Sequence, residues 1–518
     1  MPKALPERRH LVTLALLSAA LLAVRLVAAR RIGFGDSEAL YACYALHPQP
    51  AYLDHPGAIG VLARAIGRGS APSPAAAHVV TAVLATALPW LGVLAARAAA
   101  ASWRAALAAG IALACVPEIA IGLFAMTPDL LLAFAWLATL AMAALGLRAQ
   151  PKSTRAALMF LGAGLFAGVA AATKLTGLIL FVVLGATYVT SHARAHARTI
   201  WPLSGLAAGG LVFAPVVVFE SRTGWPMIAH RFVDTQHGAG LSLRNVGAVV
   251  FGQLGYLSPL VAVAAVIVAR DLWRARHGSG ARDDVATALL YYAFMLPLVV
   301  LLPLCLWSRV AEPHWMAPAL LALPLHWARA SSTESDDIAA KPIISRRFGI
   351  VALSTSAALV ALVHAWVLVP SLVRLVPASY DARLDLANEL YGWPEAVAKV
   401  KEVAIDEMSP GYFDAQVGDV TVVGSHWTVC AQLHAALGKA LPVGCATDVP
   451  DDFDDWYPRA RWRSAETIVF VADNRMDVDP RALFPNHVWV REKTVTVMRG
   501  GRIARVFTIS VWERRAAA

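Results

Sequence analysis

The sequence predicts an α-helical polytopic membrane protein that ends in a soluble α/β domain. Composition is the first reason: of 518 residues, 58% are hydrophobic and 15% charged, well below the usual quarter of charged residues. Apolar runs of about 20 residues, the length that crosses a bilayer, are the second; they recur from Leu11 to Val369. The third is a change of texture after about Pro377, where acids, prolines and short alternating strands replace the long runs. A membrane domain over 1–375 and a soluble domain over 376–518, near the usual size of a compact domain, follow from these observations. The net charge of +10 sits in short basic clusters between apolar runs, the pattern of cytoplasmic loops. It is no nucleic-acid signature, and weak attraction to anionic membrane lipid is its by-product.

About eleven spans are expected. Lys3, Arg8 and Arg9 precede the first, 11–29, which resembles a signal peptide; the many later spans favour an uncleaved helix. Arg25, late in this span, is expected to snorkel to the far interface. Residues 30–74 form an outer loop, in which 57–66 is too short to span and reads as an interfacial helix. Spans follow at 76–96, up to Phe124, at 130–147, 156–172, 175–189, 201–219, up to Arg270, at 285–306, up to Trp327 and at 348–369. Thr127 or Asp129 caps the fourth, with Pro128 at its start. Basic residues fall in alternate loops: Arg97/Arg104, Arg148/Lys152/Arg155, Arg194/Arg198, Arg270 to Arg282, and Lys341/Arg346/Arg347. With an odd count, the N-terminus is cytoplasmic and the tail periplasmic or extracellular. The expected setting is a plasma membrane crossed many times.

In the tail, 384–402 and 430–439 read as helices. Residues 420–423, 468–472, 488–491, 495–498 and 503–511 read as strands, with Arg499-Gly500-Gly501-Arg502 as a hairpin turn. Cys430 and Cys445 fit a disulfide if the tail lies outside the cytoplasm, Cys43 being left unpaired; Cys115 and Cys305 read as buried thiols. The acidic run Asp451, Asp452, Asp454, Asp455 lacks calcium-loop spacing and reads as a solvated turn.

The stretch from Gly35 to Pro56 concentrates the chemistry. It places Asp36, Glu38, Asp54, His47 and His55 between apolar segments, where carboxylates mark function more often than elsewhere. Further outer-face polar groups are Asp129, Lys174, His230, Arg231, His237, Arg309 and His314. Each has a bland explanation alone: a solvated loop, a helix cap, a snorkelling anchor, a hydrogen-bonded scaffold histidine. Together they supply acids that can take a proton from a hydroxyl and cations that can neutralise a departing phosphate. Group transfer from a lipid-linked phosphate fits this set; so does a transporter or flippase of an anionic lipid or solute.

Asp36-Ser-Glu38-Ala-Leu-Tyr and Tyr52-Leu-Asp54-His55-Pro56 resemble the first-loop pattern of bacterial membrane glycosyltransferases of the protein O-mannosyltransferase and lipid A aminoarabinose transferase superfamily (glycosyltransferase family 39-like). The resemblance continues, in order, through Thr127-Pro-Asp129, the Ala172-Thr-Lys174 turn, Trp225…His230…His237, Glu312-Pro-His314-Trp315 and Leu390-Tyr-Gly392-Trp393. It implies a GT-C fold and a polyprenyl-phosphate sugar as donor. The acceptor would be a lipopolysaccharide or lipid A, a cell-wall glycan or a protein. Asp36 would then be the general base of an inverting transfer, or orient the acceptor, with Asp129 as the supporting acid. Glu38, Asp54, His55, Lys174, His230, His237, Arg309 and His314 would line the phosphate and sugar pocket. His55 as a phosphate ligand depends on its protonation. No cofactor is certain, and a divalent cation near Asp54 and His55 stays open. Gly57 departs from the family's His-Pro-Pro form.

Overall fold

The computed structural model describes residues 5–278, 284–310, 312–333, 342–377, 380–407, 420–476 and 478–515. Lys3, Arg282 and Lys341, assigned above to inner basic clusters, lie outside the described residues. Two compact units make up the chain. The first comprises Met1–Leu26, Pro50–Ala58 and Thr81–Leu362; the second comprises Val27–Gln49, Ile59–Val80 and Val363–Ala518.

Among the described residues seven helices are long and apolar enough to cross a membrane: Glu7–Ala28, Pro74–Ala98, Pro128–Arg148, Thr154–Thr173, Trp201–Thr223, Val285–Trp307 and Arg346–Leu368. Three further pairs pass the same test but are bent, by 73° between Trp103–Cys115 and Pro117–Phe124, by 78° between Leu175–Tyr188 and Ser191–Ala197, and by 100° between Leu243–Leu257 and Pro259–His277. Counting each bent pair as one span gives up to ten. The expected crossing that ends at Trp327 is made of two short helices, Ala317–Leu320 and Ala322–Thr333. Proline explains two of the bends: Pro117 and Pro259 each open the second helix of a pair, where the missing N–H is harmless but the preceding turn cannot continue.

Small residues set the closest packing in the first unit. A Cβ on Gly164 would lie 1.7 Å from the Gly205 carbonyl oxygen, and one on Gly209 would lie 2.3 Å from the Gly164 carbonyl oxygen. Gly164/Gly168 and Gly205/Gly209 are two four-residue-spaced glycine pairs, so the helices Thr154–Thr173 and Trp201–Thr223 meet backbone to backbone. Arg25 does not snorkel. It is fully buried and donates to the carbonyls of Ile119 and Ala120 at 2.8 and 2.9 Å and to Thr86 Oγ1 at 2.8 Å. The broken helix at Pro117 leaves carbonyls without intrahelical partners, and the guanidinium satisfies them.

In the second unit a five-stranded sheet has the order β2-β1-β3-β5-β4, with β1 Val420–Gly424, β2 Val443–Cys445, β3 Thr467–Asp473, β4 His487–Arg499 and β5 Arg502–Arg514. β2, β1 and β3 are parallel, and β5 and β4 are antiparallel. The two short strands expected at 488–491 and 495–498 fuse into β4, which keeps pairing through irregularities in its register. Gly500 and Gly501, at φ +59° and +84°, make the β4–β5 turn as expected, since a two-residue hairpin turn needs positive φ at both positions. The helix expected from Leu384 begins at Trp393 instead, because short turns at Ala382–Leu384 and Asn388–Leu390 occupy its first residues. Short β2 and the helices Asp452–Trp456 and Arg459–Arg463 carry too few residues for a readable period. Cys430 and Cys445 form a disulfide, and Cys43, Cys115 and Cys305 are free and buried.

Candidate active-site clusters

In the first unit the candidate cluster is built around Asp129. Pro128 opens its helix at N1, and Asp129 sits in the first turn, where the helix dipole favours a negative charge. Thr127 occupies the N-cap position without a side-chain cap bond. Lys174 ends the helix Thr154–Thr173 in extended conformation and donates to both Asp129 oxygens, at 2.8 and 3.0 Å. His314 joins from a short turn, with Nε2 3.7 Å from Asp129 Oδ2 and Nδ1 3.3 Å from Glu312 Oε2. Carboxylate, imidazole and carboxylate thus form a chain. Burial pulls the His314 imidazole down, but the bond to Glu312 and the charge of Asp129 outweigh it and hold the pKa above the ordinary value. The same bond to His314 pulls the Glu312 carboxyl down.

Trp315 extends the cluster. Lys174 Nζ lies 5.9 Å and the Arg231 guanidinium 5.5 Å from its ring centroid, cation–π distances. Arg231 pairs with Asp54 at 3.2 Å, and His230 Nε2 is 4.0 Å from the same oxygen. Burial and the neighbouring Arg231 lower the His230 pKa against the pull of Asp54. His55 is buried in a tight turn whose carbonyl accepts from Tyr52 N at 2.9 Å. Its pKa is held well below the usual histidine value by burial and by the charges of Arg231 and Lys174. That direction favours the uncharged imidazole. His237 and Arg309 are exposed, and Arg309 Nη1 donates to the His237 carbonyl at 3.0 Å; their described contacts do not include the Asp129 cluster.

An apolar cavity of about 180 Å³ adjoins this cluster; Leu113, Leu132, Leu321 and Trp327 are among its lining residues, with Glu118, Asp129 and His314 among its polar ones. Glu118 is buried and its Oε2 has no hydrogen-bond partner among the described residues. Sequence reasoning passed over Glu118, since one acid inside an apolar run carries no spacing signal.

Asp36 and Glu38 belong to the second unit. Gly35 is the N-cap of the helix Asp36–Tyr44. Glu38, three residues on, accepts the Gly35 N–H at 2.9 Å, the return half of a capping box. His78 Nε2 reaches the Glu38 oxygens at 3.0 and 3.2 Å, so Glu38 fixes the entry to the helix. The Asp36 carboxylate faces Arg475, with Nη1 to Oδ2 at 2.8 Å and Nη2 to Oδ1 at 3.4 Å. The Asp36 N–H donates to Glu389 Oε2 at 3.1 Å. Burial and the nearby Asp36 charge push the Glu389 carboxyl up to about 7. Neither Arg475 nor Glu389 was singled out from the sequence. Glu389 does lie one residue before the Leu390-Tyr-Gly392-Trp393 motif, a signal that was available.

Among the described residues no group of three or more His, Cys, Asp or Glu side chains is placed to hold a metal, and the Asp129 carboxylate already faces the Lys174 ammonium. In the acidic run, Asp451 caps a helix, Asp454 pairs with Arg459 at 2.6 Å and Asp452 accepts from the Tyr44 hydroxyl at 3.2 Å.

Comparison with solved structures places this architecture. ArnT from Cupriavidus metallidurans, bound to undecaprenyl phosphate, matches with a TM-score of 0.60 at 15% identity, covering 96% of this chain and 97% of that one. The oligosaccharyltransferase AglB from Archaeoglobus fulgidus, in complex with an inhibitory peptide and a dolichol-phosphate, matches at 0.50 and 12% identity over 90% of this chain and 69% of that one. The mycobacterial arabinofuranosyltransferase AftD matches at 0.52 and 17% identity over 97% of this chain and 41% of that one. No protein-family model matches the sequence, and comparison with curated proteins gives no match. The fold is the GT-C fold, an α-helical membrane body with a small C-terminal sheet domain.

Proposed function

We propose that the protein is a membrane glycosyltransferase that moves a sugar from a polyprenyl-phosphate carrier to a hydroxyl on an envelope glycan, lipid or protein. The acceptor oxygen attacks the anomeric carbon from the face opposite the phosphate. The carbon–oxygen bond to phosphate breaks, polyprenyl phosphate leaves with the electron pair, and configuration inverts. The acceptor proton passes to a carboxylate, for which Asp36 is the candidate, and Asp129 is the supporting acid. The observation that carries the reading is the apolar cavity beside Asp129, Lys174 and His314. An isoprenoid chain needs an apolar chamber and its phosphate needs fixed positive charge, and this cluster supplies both. Neutral His55 would donate a hydrogen bond rather than a charge.

In this reading the tail lies outside the cytoplasm. The basic loops mark the inner side, and the Cys430–Cys445 disulfide suits an oxidising compartment.

A second reading has one observation behind it. Three bent helix pairs are also how transporters build midplane sites. Purified protein in liposomes, given radiolabelled polyprenyl-phosphate sugars and a crude envelope extract, separates the two. Label reaching the acceptor with wild type, reduced roughly 10²–10⁴-fold in Asp36→Asn, supports the transferase. Label crossing the bilayer with the donor intact supports transport and sinks the transferase.

A further inference from the structure

We propose that Arg475, in the turn after β3, is a positioning residue for the transfer reaction, holding the Asp36 carboxylate in its working orientation. The proposal rests on the glycosyltransferase reading. It would mean that the soluble tail completes the acceptor-side chemistry instead of merely capping it.

Asp36 is the first residue of its helix, and no bond from that helix to its carboxylate is described. The fork of Arg475 supplies the constraint, touching both oxygens, with each side chain 12% exposed. A planar guanidinium fixes the rotation of a carboxylate as well as its place. Arg475 is itself held. Its N–H reaches Asp473 Oδ1 at 2.9 Å and its Nε reaches Oδ2 at 3.0 Å. Asp473 then binds Arg505 Nη2 at 2.5 Å, and Arg505 lies 4.2 Å from the Trp393 ring centroid and 4.8 Å from that of Phe507. The result is an alternating ladder, Asp36–Arg475–Asp473–Arg505, anchored on two buried aromatic rings.

Its two ends differ. The inner pair, Asp473 and Arg505, has side chains 0% and 1% exposed and is complete without Asp36. Burial pulls the Asp473 carboxyl up, and the two arginines outweigh it and hold it low. The outer contact decides where a carboxylate at the open end points. A carboxylate has about four lone-pair directions, and the Arg475 fork occupies only part of them, leaving others for an acceptor hydroxyl.

The test is steady-state transfer by Arg475→Ala and Arg475→Lys beside wild type and Asp36→Asn, in liposomes with the full chain. Arg475→Ala is expected to lower kcat by roughly 10²-fold with the donor KM nearly unchanged, the effect of a misplaced catalytic group. Arg475→Lys recovers only part of this, because an ammonium supplies the charge but not the fork. Millimolar guanidinium restores activity to Arg475→Ala and none to Asp36→Asn. Thermal unfolding and an intact Cys430–Cys445 disulfide check that each variant folds, and Arg475→Gln replaces Arg475→Ala if the latter does not. Wild-type transfer with normal kcat in Arg475→Ala overturns the positioning role and leaves the glycosyltransferase reading standing. So does a loss that follows the unfolding temperature and ignores both lysine and guanidinium. Absence of wild-type transfer with every donor overturns both together.

Discussion

Removing one partner of the Asp129–Lys174 pair strands a charge in a setting that solvates it poorly. Their side chains are 18% and 7% exposed, so Lys174→Met is expected to destabilise the protein by about 3–5 kcal/mol, the usual cost of an orphaned buried ion. The double variant Lys174→Met/Asp129→Leu removes both charges and should recover most of that loss while staying inactive. Thermal unfolding in detergent beside the transfer assay separates the two effects; a double variant as unstable as the single one would show that packing, not charge, is at stake. Glu389 gives a pH-dependent case. Raised from 4.5 to about 7, its carboxyl binds a proton more tightly folded than unfolded, so its contribution is fully present below the unfolded value and is lost as the pH climbs through the folded one. Glu389→Gln keeps the acceptor oxygen for the Asp36 N–H and cannot lose a proton. Its unfolding temperature should match wild type near pH 5 and exceed it by a few degrees near pH 8, with the crossover between; a constant gap would argue against titration of Glu389. At this scale Asp36, Asp129 and Lys174 were legible because each stands between apolar runs in a short motif, whereas Glu118 is lost inside one. Arg475 was not, since its partner Asp36 lies 439 positions away and nothing local distinguishes one surface-type arginine from another.

Helices pack here through glycine, and the contacts make sharp forecasts. Gly164→Val puts side-chain carbon where the Gly205 carbonyl stands, so the helices must separate or the chain must fail to assemble. Gly210→Ala, one residue beyond the matching pair, meets nothing within 4 Å and should change the unfolding temperature little. Size-exclusion profiles after graded heating compare the two; equal tolerance would mean that the close approach is not needed. The disulfide works on the other unit. It closes a loop of sequence separation 15, for which chain entropy gives about 3 kcal/mol, so Cys430→Ser/Cys445→Ser should lower the tail's unfolding temperature measurably, and wild type in reductant should fall to the same value. Hydropathy made the long helices readable, and the paired glycines did so for the Gly500–Gly501 turn. It did not reveal the bends at Pro117 and Pro259, because apolar character runs straight through each break and only the backbone changes direction. The same blindness split the crossing near Trp327, where the run is apolar but Leu321 interrupts the helix.

At the scale of the molecule the open question is which side of the membrane the chemistry faces. Among the described residues seven long helices and three bent pairs give up to ten crossings, and ten alone would return the tail to the side of the N-terminus. The two short helices Ala317–Leu320 and Ala322–Thr333 decide the parity: an eleventh crossing made of both would put the tail opposite the N-terminus. Charge and redox chemistry both argue for it. The basic loops around Arg97, Arg148 and Arg194 alternate with the loops carrying Asp129 and Asp54, as the positive-inside rule requires, and a cytosolic tail would not keep Cys430 and Cys445 oxidised. Single cysteines read the answer directly, since Cys43, Cys115 and Cys305 are buried and leave a low background. Lys152→Cys lies in an exposed turn between two spans and Glu466→Cys is exposed in the tail. In intact cells with a permeable outer membrane, an impermeant maleimide should label Glu466→Cys at once and Lys152→Cys only after the inner membrane is opened. The reverse pattern would put the tail in the cytoplasm, with Asp36 and its Arg475 partner on the wrong side for an extracytoplasmic acceptor. Transfer would then have to occur inside the cell, and the disulfide would have to be absent from the native protein, which alkylation under non-reducing conditions would reveal in the same samples.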